Sequence, residues 1–331
     1  MKHLKSFAFF VLLLFAYCSP IFVICYDVVV IGSGPAGCSA GLYAARANLS
    51  TLVITGDSPY GQLSGSHEVE NWPGIPKKCG IEIMEQLHEQ VRSFGVSFLY
   101  DTVMSIDSTR RPFIITTADQ SVFEAHAIVI ATGSSPKMLH VPGEDLYWGK
   151  GVSACAVCDC FLYKNKDVVI VGGGDSAVEE ALQLVGYARS ITILVRSHAM
   201  RAVLNGQKKL QEHADKIDIR YNSSIAEILG DVERGVTGVM VCDSASSQSY
   251  VLPIDGVFLA IGHKPNVDLF KDWIALDTTG HVALANRSQM TNIPGIFVAG
   301  DVADNRFKQA AKAAGDGVQA GMEAVEFVRF H

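Results

Sequence analysis

The sequence lacks an excess of positive charge and has no low-complexity run. Lysine and arginine number 27 against 34 aspartate and glutamate residues, which gives a formal net charge of −7. A nucleic-acid binder needs a basic face against the phosphate backbone, so this balance argues against a nucleic-acid partner. The 331 residues, 49% of them hydrophobic, predict about two folded domains of α/β type.

Cysteine is also scarce, with eight residues in the chain, too few for a secreted disulfide scaffold. Three of the eight lie in ACAVCDC (154–160), where Cys155 and Cys158 form a C-x-x-C pair and Cys160 follows. No second C-x-x-C or paired-histidine spacing is present, which disfavours a zinc site, and we expect no metal. A purely structural disulfide is disfavoured because so short a loop restrains the unfolded chain little. A redox-active dithiol is the third interpretation, and this stretch alone does not decide among them.

Long apolar runs are absent except at the N-terminus. After a basic start, residues 7–25 are apolar apart from a break at Ser19-Pro20. The segment is compatible with a signal peptide, an uncleaved membrane anchor or an extension outside the fold. The composition changes at Tyr26, so residues 1–25 are assigned to a leader and the first domain is expected to begin there.

A dinucleotide-binding unit is predicted directly after the leader. YDVVVIGSGPAG (26–37) is a β-branched strand that ends in Gly32-x-Gly34-x-x-Gly37, and a small-residue helix and a second strand, LSTLVIT, follow. The first glycine permits a tight turn, the second lets a pyrophosphate approach the backbone, and the third lets helix and strand pack closely. Asp57 lies 20 residues after Gly37, where an acid meets a ribose hydroxyl.

The same pattern recurs further along the chain, as Gly172-x-Gly174-x-x-Ala177 between two apolar strands. This unit ends on Arg196, with Arg201 five residues later. Arginine suits the 2′-phosphate of NADPH, since a guanidinium binds two oxygens at once. The first unit ends with an acid and the second with an arginine. This difference predicts that one unit binds a flavin dinucleotide that stays bound and the other a nicotinamide dinucleotide that is exchanged. The alternative is that one unit is a degenerate copy without a ligand.

Two further strands support the flavin prediction. AHAIVIATG (125–133) and GIFVAGD (295–301) are apolar strands that end at a glycine, at the edge where ligands bind across an open sheet. Asp301 is expected at a strand's carboxyl end, before a helix that begins near Phe307. A carboxylate there can accept a hydrogen bond from a ribityl hydroxyl, and it can also cap the helix.

Taken in order, these motifs resemble the bacterial-type, low-molecular-weight thioredoxin reductases, a class of pyridine nucleotide-disulfide oxidoreductases. The resemblance runs from Tyr26 almost to the C-terminus. It rests on GSGPAG (32–37), YGQL (60–63), VENWPG (69–74), ATG (131–133), GVSACAVCD (151–159), GGGDSAVEEAL (172–182), AIGHKPN (260–266), VAGDVAD (298–304) and FKQA (307–310).

The resemblance implies an α/β fold with two Rossmann-like, three-layer ββα domains. The NADPH domain (134–263) is inserted into the FAD domain (26–133 and 264–331). It also implies an FAD-dependent, homodimeric enzyme that passes a hydride from NADPH to FAD and electrons on to a Cys155–Cys158 disulfide, which reduces thioredoxin.

By the same resemblance, Cys158 lies against the flavin, Cys155 exchanges with the protein partner and Asp159 is the acid that moves the proton. The residues implied at FAD are Gly32, Gly34, Pro35, Ala36, Gly37, Thr55, Gly56, Asp57, Gly61, Gln62, Asn71, Ala131, Thr132, Gly133, Gly300, Asp301, Lys308, Gln309 and Ala310. Those implied at NADPH are Gly172, Gly174, Asp175, Ser176, Ala177, Glu179, Arg196, Arg201, Ile261 and Gly262.

The disulfide and the nicotinamide-binding unit belong to the same domain, and both must reach the same flavin ring. The resemblance implies that the NADPH domain rotates between two docked states. The chain crosses between domains near residues 133–136 and 262–265, and these Gly- and Pro-containing crossings predict a hinge.

Three positions depart from the family pattern. Ser197 replaces an arginine of the usual His-Arg-Arg, which predicts a weaker preference for NADPH over NADH without reversing it. Cys160 replaces a glycine and could rearrange the disulfide, act as a resolving thiol or pack, of which packing is expected. Lys308 replaces an arginine. Cys38 and Cys242 are expected to be buried.

Alternatives remain open on substrate and location. The same fold could use NADH, reduce another dithiol protein, or act as a redox sensor without thioredoxin turnover. Since NADPH and thioredoxin are supplied in the cytosol, a cytoplasmic body is expected, with residues 7–25 as a possible tether. A simple anchor with this basic start would instead place the body outside.

Overall fold

The computed structural model of the chain describes residues 23–66 and 68–331. The predicted leader and its possible tether therefore lie outside the described residues, apart from Val23, Ile24 and Cys25. In the described part of the chain, none of the helices has the length and apolar character that a bilayer span requires.

The described chain alternates strands and helices. In chain order the strands are β1 (Ile24–Ile31), β2 (Thr51–Ile54), β3 (Ser97–Leu99), β4 (Val103–Asp107), β5 (Phe113–Thr117), β6 (Val122–Ile130), β7 (Ser134–Pro136), β8 (Val152–Ser153), β9 (Asp167–Val171), β10 (Ser190–Leu194), β11 (Ile217–Arg220), β12 (Ser223–Asp231), β13 (Gly235–Asp243), β14 (Gln248–Pro253), β15 (Gly256–Leu259), β16 (His263–Pro265) and β17 (Ile296–Val298). The helices are α1 (Pro35–Arg46), α2 (Gly80–Ser93), α3 (Ala156–Asp159), α4 (Asp175–Leu184), α5 (Leu204–Gln211) and α6 (Ala310–Phe330).

The first unit is built on a seven-stranded sheet of order β3-β2-β1-β6-β5-β4, with β17 also paired to β6. Side chains of β1 alternate between two cores, as the period of a strand requires. Val28 and Val30 pack against alanines of α1 and α6, whereas Val29 and Ile31 pack against Phe270 and its neighbours on the other face. Burial on both faces explains the continuous β-branched run in the sequence.

Strand β1 begins before the predicted domain start. Ile24 and Cys25 pair with Phe123 and Glu124 of β6, so the strand extends two residues before Tyr26. Apolar composition does not separate a leader from the first residues of a strand, so the sequence did not indicate this extension.

The second unit has three layers. A parallel sheet of order β11-β10-β9-β15-β8 lies between α4 and α5 on one face and an antiparallel sheet, β12-β13-β14, on the other. Val168 and Ile170 of β9 face the helices, and Val169 and Val171 face the antiparallel sheet. The predicted fold class is confirmed.

The two crossings between the units lie side by side. β7 and β16 pair antiparallel, with Ser135 opposite Lys264, and we call this pair the hinge ribbon. Gly133 and Gly262 flank it with φ of 69° and 96°, in the left-handed region that glycine adopts at low cost.

Candidate active site

A cavity of about 1680 Å³ lies between the two units. It exceeds the roughly 300–1,000 Å³ of an ordinary small-ligand pocket, as an extended dinucleotide requires. The predicted flavin residues that line it are Gly32, Gly34, Pro35, Ala36, Thr55, Gly56, Asp57, Gly61, Gln62, Ala131, Thr132, Gly133, Gly300, Asp301, Lys308, Gln309 and Ala310. Gly37 lies beneath the turn, and Asn71 contacts the cavity through Gln309, whose Oε1 is 3.4 Å from Asn71 Nδ2.

The first glycine turn has two crowded positions and one open position. A Cβ on Gly32, whose φ is 105°, would lie 2.3 Å from the carbonyl oxygen of Ala131, and a Cβ on Gly37 would lie 1.8 Å from that of Gly32. At Gly34 the nearest atom is the Gly61 Cα, 3.8 Å away. No side chain caps the start of α1, so the backbone amides that follow Pro35 are available to receive a pyrophosphate. This turn fits a flavin dinucleotide.

His88, which sequence reasoning missed, supports this turn from below. It is fully buried between the rings of Tyr60 and Phe98, with centroids 4.6 and 4.7 Å away. Its Nε2 lies 2.9 Å from the carbonyl oxygen of Ser33, to which the Cys38 thiol also donates at 3.1 Å. Burial lowers the pKa of His88 and so favours the neutral ring. A lone histidine on the apolar face of α2 gives no sequence signal of this contact.

Thr102, which the sequence did not indicate, holds Asp57 at the cavity wall. The Thr102 hydroxyl donates to Asp57 Oδ1 at 2.5 Å, and both residues line the cavity. This bond fixes the carboxylate where a ribose hydroxyl is expected.

Asp304, and not Asp301, caps the backbone segment before the last helix. The Asp304 carboxylate accepts hydrogen bonds from the backbone amides of Arg306, Phe307 and Lys308, at 2.9 to 3.0 Å. Helix α6 begins at Ala310, with Gln309 at its N-cap position, later than the expected start near Phe307. Asp301 is left to face the cavity, where burial and then the charge of Asp304 raise its pKa to about 6.

Cys155 and Cys158 form a disulfide with their Cα atoms 5.3 Å apart, which confirms the predicted pair. Cys155 caps α3, its Sγ accepting from the Cys158 amide at 3.2 Å. Both cysteines and Asp159 line the cavity. Asp159 lies near the phenol of Tyr163, whose pKa is raised by burial and then by the Asp159 charge.

The third thiol of the stretch packs into the second unit's core. Cys160 is buried between α3 and the parallel sheet, as expected. Cys38 is buried too, but Cys242 is only half-buried. The latter prediction was wrong because Val239 and Val241 take the core face of β13, and alternation turns Cys242 to the other face.

The second glycine turn lies away from the cavity. Gly172 has a φ of 152°, and a Cβ there would lie 2.5 Å from the Ala260 carbonyl oxygen, while Gly174 is open. The Arg201 amide donates to the Gly173 carbonyl at 2.6 Å, which brings an exposed cation beside the turn. These open amides and cations fit a phosphorylated nicotinamide dinucleotide.

Other residues predicted for this site are distributed between the turn and the cavity. The Asp175 carboxylate accepts from the Val203 amide at 2.8 Å, and Ile261 packs beneath the sheet. Of the predicted NADPH residues, Ser176, Glu179 and Gly262 line the cavity, and Gly172, Gly174, Asp175, Ala177, Arg196, Arg201 and Ile261 do not.

Glu180 also lines the cavity and was not predicted. Its Oε2 is shielded from solvent and has no hydrogen-bond partner among the described residues. Burial, and then the charge of Glu179, raise the pKa of Glu180 to about 7. An ionised carboxylate in this position therefore costs stability.

Replacing Glu180 with glutamine is expected to raise the free energy of unfolding at pH 8 by up to about 3 kcal/mol, and much less at pH 5. Because the folded pKa lies above the unfolded one, the penalty is absent below the unfolded pKa and is complete above about pH 7. Chemical denaturation of the FAD-saturated wild-type and variant proteins at both pH values measures the difference in the free energy of unfolding. Glu85→Gln, on the exposed face of α2, controls for loss of a carboxylate, and an equal gain at both pH values would contradict the assignment.

Comparison with known proteins points to one family. A family model described as pyridine nucleotide-disulphide oxidoreductase matches residues 26–317. A thioredoxin reductase of Coxiella burnetii is 41% identical over 312 residues, covering 92% of this chain and 96% of the relative. The solved thioredoxin reductase of Giardia duodenalis is 37% identical with a TM-score of 0.87, covering 93% of this chain and 100% of its own. The solved thioredoxin reductase of Lactococcus lactis, in its FR conformation, is also 37% identical, but its TM-score is 0.63. The match covers 92% of this chain and 99% of that one.

Proposed function

The chain belongs to the pyridine nucleotide-disulphide oxidoreductase family, and we propose that it is a thioredoxin-disulfide reductase that takes its electrons from NADPH. The observation that carries the proposal is the Cys155–Cys158 disulfide at the wall of a dinucleotide-sized cavity that begins at a glycine turn. A structural disulfide has no need of such a cavity, whereas an electron-carrying one must border its redox cofactor.

Residues of the first unit would hold FAD. The amides that follow Pro35 would receive the pyrophosphate, Asp57 the ribose and Asp301 the ribityl chain. When bound, FAD supplies hydride acceptance from the reduced nicotinamide and two-electron donation to the disulfide. The glycine turn beside Arg201 would hold NADPH, with the guanidinium against the 2′-phosphate.

Cys155 and Cys158 then carry out the exchange. Two electrons and two protons convert their disulfide into two thiols. The Cys155 thiolate attacks the partner's disulfide and expels one partner sulfur, and Cys158 attacks Cys155 Sγ, re-forms the intramolecular disulfide and expels the other sulfur. The Cys158 amide aimed at Cys155 Sγ favours the thiolate form. Asp159 donates the proton to the leaving sulfur.

Domain rotation is part of the proposal, with the NADPH domain at 134–263 and the FAD domain at 26–133 and 264–331. The disulfide lines the cavity in this arrangement, and the second glycine turn does not. The Giardia and Lactococcus structures superpose on this chain to different extents at equal identity, which supports more than one arrangement of the units.

A direct assay tests the proposal on the full-length, FAD-loaded protein. Under anaerobic conditions NADPH should bleach the flavin, and added thioredoxin should restore its colour and acquire free thiols. Glutaredoxin and peroxiredoxin are the parallel acceptors. A flavin that is reduced by NADPH but not reoxidised by thioredoxin would contradict the proposed substrate and favour a sensor or another acceptor.

Arg201→Ala is expected to raise the KM for NADPH about tenfold, the equivalent of one lost charge-assisted contact, and to leave the KM for NADH within about twofold. Only NADPH carries the 2′-phosphate that the guanidinium would bind. Steady-state kinetics with both donors measures the difference, and Lys209→Ala, an exposed cation at the other end of α5, is the control. An equal change for both donors would contradict a 2′-phosphate contact.

We also propose a homodimer with a cytoplasmic body. Family resemblance supports the dimer, and the cytosolic supply of NADPH and thioredoxin supports the location. Residues 7–25, mostly outside the described residues, remain the candidate tether. Light scattering of the purified protein and fractionation of the full-length chain test the two statements, and a monomer or an exported body would contradict them.

A further inference from the structure

Asn266 joins the two crossings at the end of the hinge ribbon next to the first unit. The Asn266 amide donates to the Gly133 carbonyl at 3.0 Å, and the Thr132 hydroxyl donates to the Asn266 carbonyl at 2.7 Å. The side chain also bridges the crossings: Nδ2 donates to the Thr132 carbonyl at 2.9 Å, and Oδ1 accepts from the Ser135 hydroxyl at 3.0 Å. Asn266 thus joins the two crossings by four hydrogen bonds.

A further contact ties this part of the ribbon to the first unit. Gln62, which lies in the first unit beside the glycine turn, donates from Nε2 to the carbonyl oxygen of Ser134. β7 is therefore attached to the first unit by Gln62 and to the second crossing by Asn266.

The opposite end of the ribbon is held much less firmly. One backbone bond, from the Lys137 amide to the Gly262 carbonyl at 2.9 Å, closes it. Within residues 68–331, no side-chain hydrogen bond joins the two crossings at this end. Gly262 has a φ of 96°, and among the described residues a Cβ there would meet only the end of the Lys137 side chain, 3.8 Å away. Backbone rotation is therefore easiest at this end.

We propose that Asn266 is a positioning residue for the reaction, which fixes the hinge ribbon to the first unit so that the second unit turns about the Gly262 end of the ribbon. This inference rests on the proposed function, because it concerns the rotation that presents the disulfide and the nicotinamide to the flavin in turn. Asn266 borders the cavity, but both ends of its carboxamide are already engaged, so its role does not depend on touching a cofactor.

A defined pivot matters because two different groups must arrive at the same place. A reacting group displaced by about 1 Å can lose about 100-fold in rate. If the clamp is lost, both crossings can bend at either end and each docked state becomes less well defined. Both half-reactions should then slow together, while the affinities for FAD and NADPH, set within single units, should not change.

The experiment compares Asn266→Ala, Ser135→Ala and the double variant in the full-length, FAD-loaded protein. Lys264→Ala is the matched control, since this exposed side chain lies in β16, two residues before Asn266, and among the described residues its ion pair is with Asp268, at 2.8 Å. Stopped-flow measurements give the rate of flavin reduction by NADPH and of reoxidation by thioredoxin. Fluorescence titrations give the affinities for FAD and NADPH.

For Asn266→Ala we expect both rates to fall about tenfold, the value of two lost neutral hydrogen bonds, with both affinities within about twofold of wild type. Ser135→Ala should show a smaller loss, the double variant no more than Asn266→Ala, and Lys264→Ala less than a twofold change. Unchanged rates, or a rate loss fully explained by weaker FAD binding, would overturn the inference.

Hydrogen exchange gives a readout that does not require turnover. In the wild-type protein the Asn266 amide should exchange more slowly than the Lys137 amide, and the difference should disappear in Asn266→Ala. Equal or reversed protection in the wild type would overturn the inference. A wild-type protein inactive with thioredoxin would instead overturn the proposed substrate, while flavin reduction and exchange still test Asn266.

Discussion

Replacing Cys155 with serine is expected to lower thioredoxin turnover by at least about 10³-fold, as the loss of an enzyme's nucleophile does. A serine hydroxyl cannot attack the partner's disulfide at neutral pH and cannot form a disulfide with Cys158. Flavin reduction by NADPH should survive, because the first unit and the second glycine turn do not include Cys155. The two half-reactions are measured separately, by anaerobic flavin bleaching and by the appearance of thioredoxin thiols.

Cys242→Ser is the matched control, because it removes a half-buried thiol on the face of β13 opposite the core, outside the cavity. Its turnover should stay within about twofold of wild type, as expected for a surface change. Thioredoxin reduction that persisted in Cys155→Ser would show that the dithiol is not the exit for electrons. Loss of flavin bleaching in the same variant would point to a folding defect. The same two half-reactions, measured in Cys158→Ser, would then test the role of the dithiol.

Gly37→Ala is expected to destabilise the first unit by about 4 kcal/mol and to weaken FAD binding more than about 100-fold. The added Cβ would lie 1.8 Å from the carbonyl oxygen of Gly32 and 2.8 Å from its carbonyl carbon. Both are backbone atoms of the turn and cannot move aside, so α1 must separate from β1. The amides that would receive the pyrophosphate move with α1. Denaturation midpoints and FAD retention on gel filtration measure the two effects.

Gly315→Ala tests whether the Gly37 effect is steric. Gly315 lies on the exposed side of α6, and no atom of residues 23–66 or 68–331 lies within 4 Å of an added Cβ. Alanine is favoured over glycine inside a helix, so this variant should be neutral or stabilised by about 1 kcal/mol. Full FAD retention by Gly37→Ala would show that the turn tolerates a wider spacing between α1 and β1 than the structure has.

The sequence predicted well the features that depend on residues close together in the chain. Gly32, Gly34 and Gly37 are required by the local path of the chain, and the Cys155–Cys158 pair is close enough to bond wherever the segment lies. The alternation of Val28 to Ile31 between two cores follows from strand geometry.

Contacts between distant segments were the ones missed. His88 meets Ser33 across 55 positions, and Asn266 meets Thr132 across 134. Asp301 and Asp304 are three residues apart, and only the turn of the backbone decides which one caps the segment before α6 and which one faces the cavity.

By itself the sequence determined the two dinucleotide turns, the order of strands and helices around them and the pair of thiols, because these depend on backbone conformation over a few neighbouring residues. The tertiary structure alone decided that the disulfide and not the second glycine turn faces the cavity, that Glu180 loses its water, and that Asn266 holds the hinge ribbon. Those outcomes depend on how the two units pack and on which polar groups lose solvent, and no short stretch of sequence contains that information.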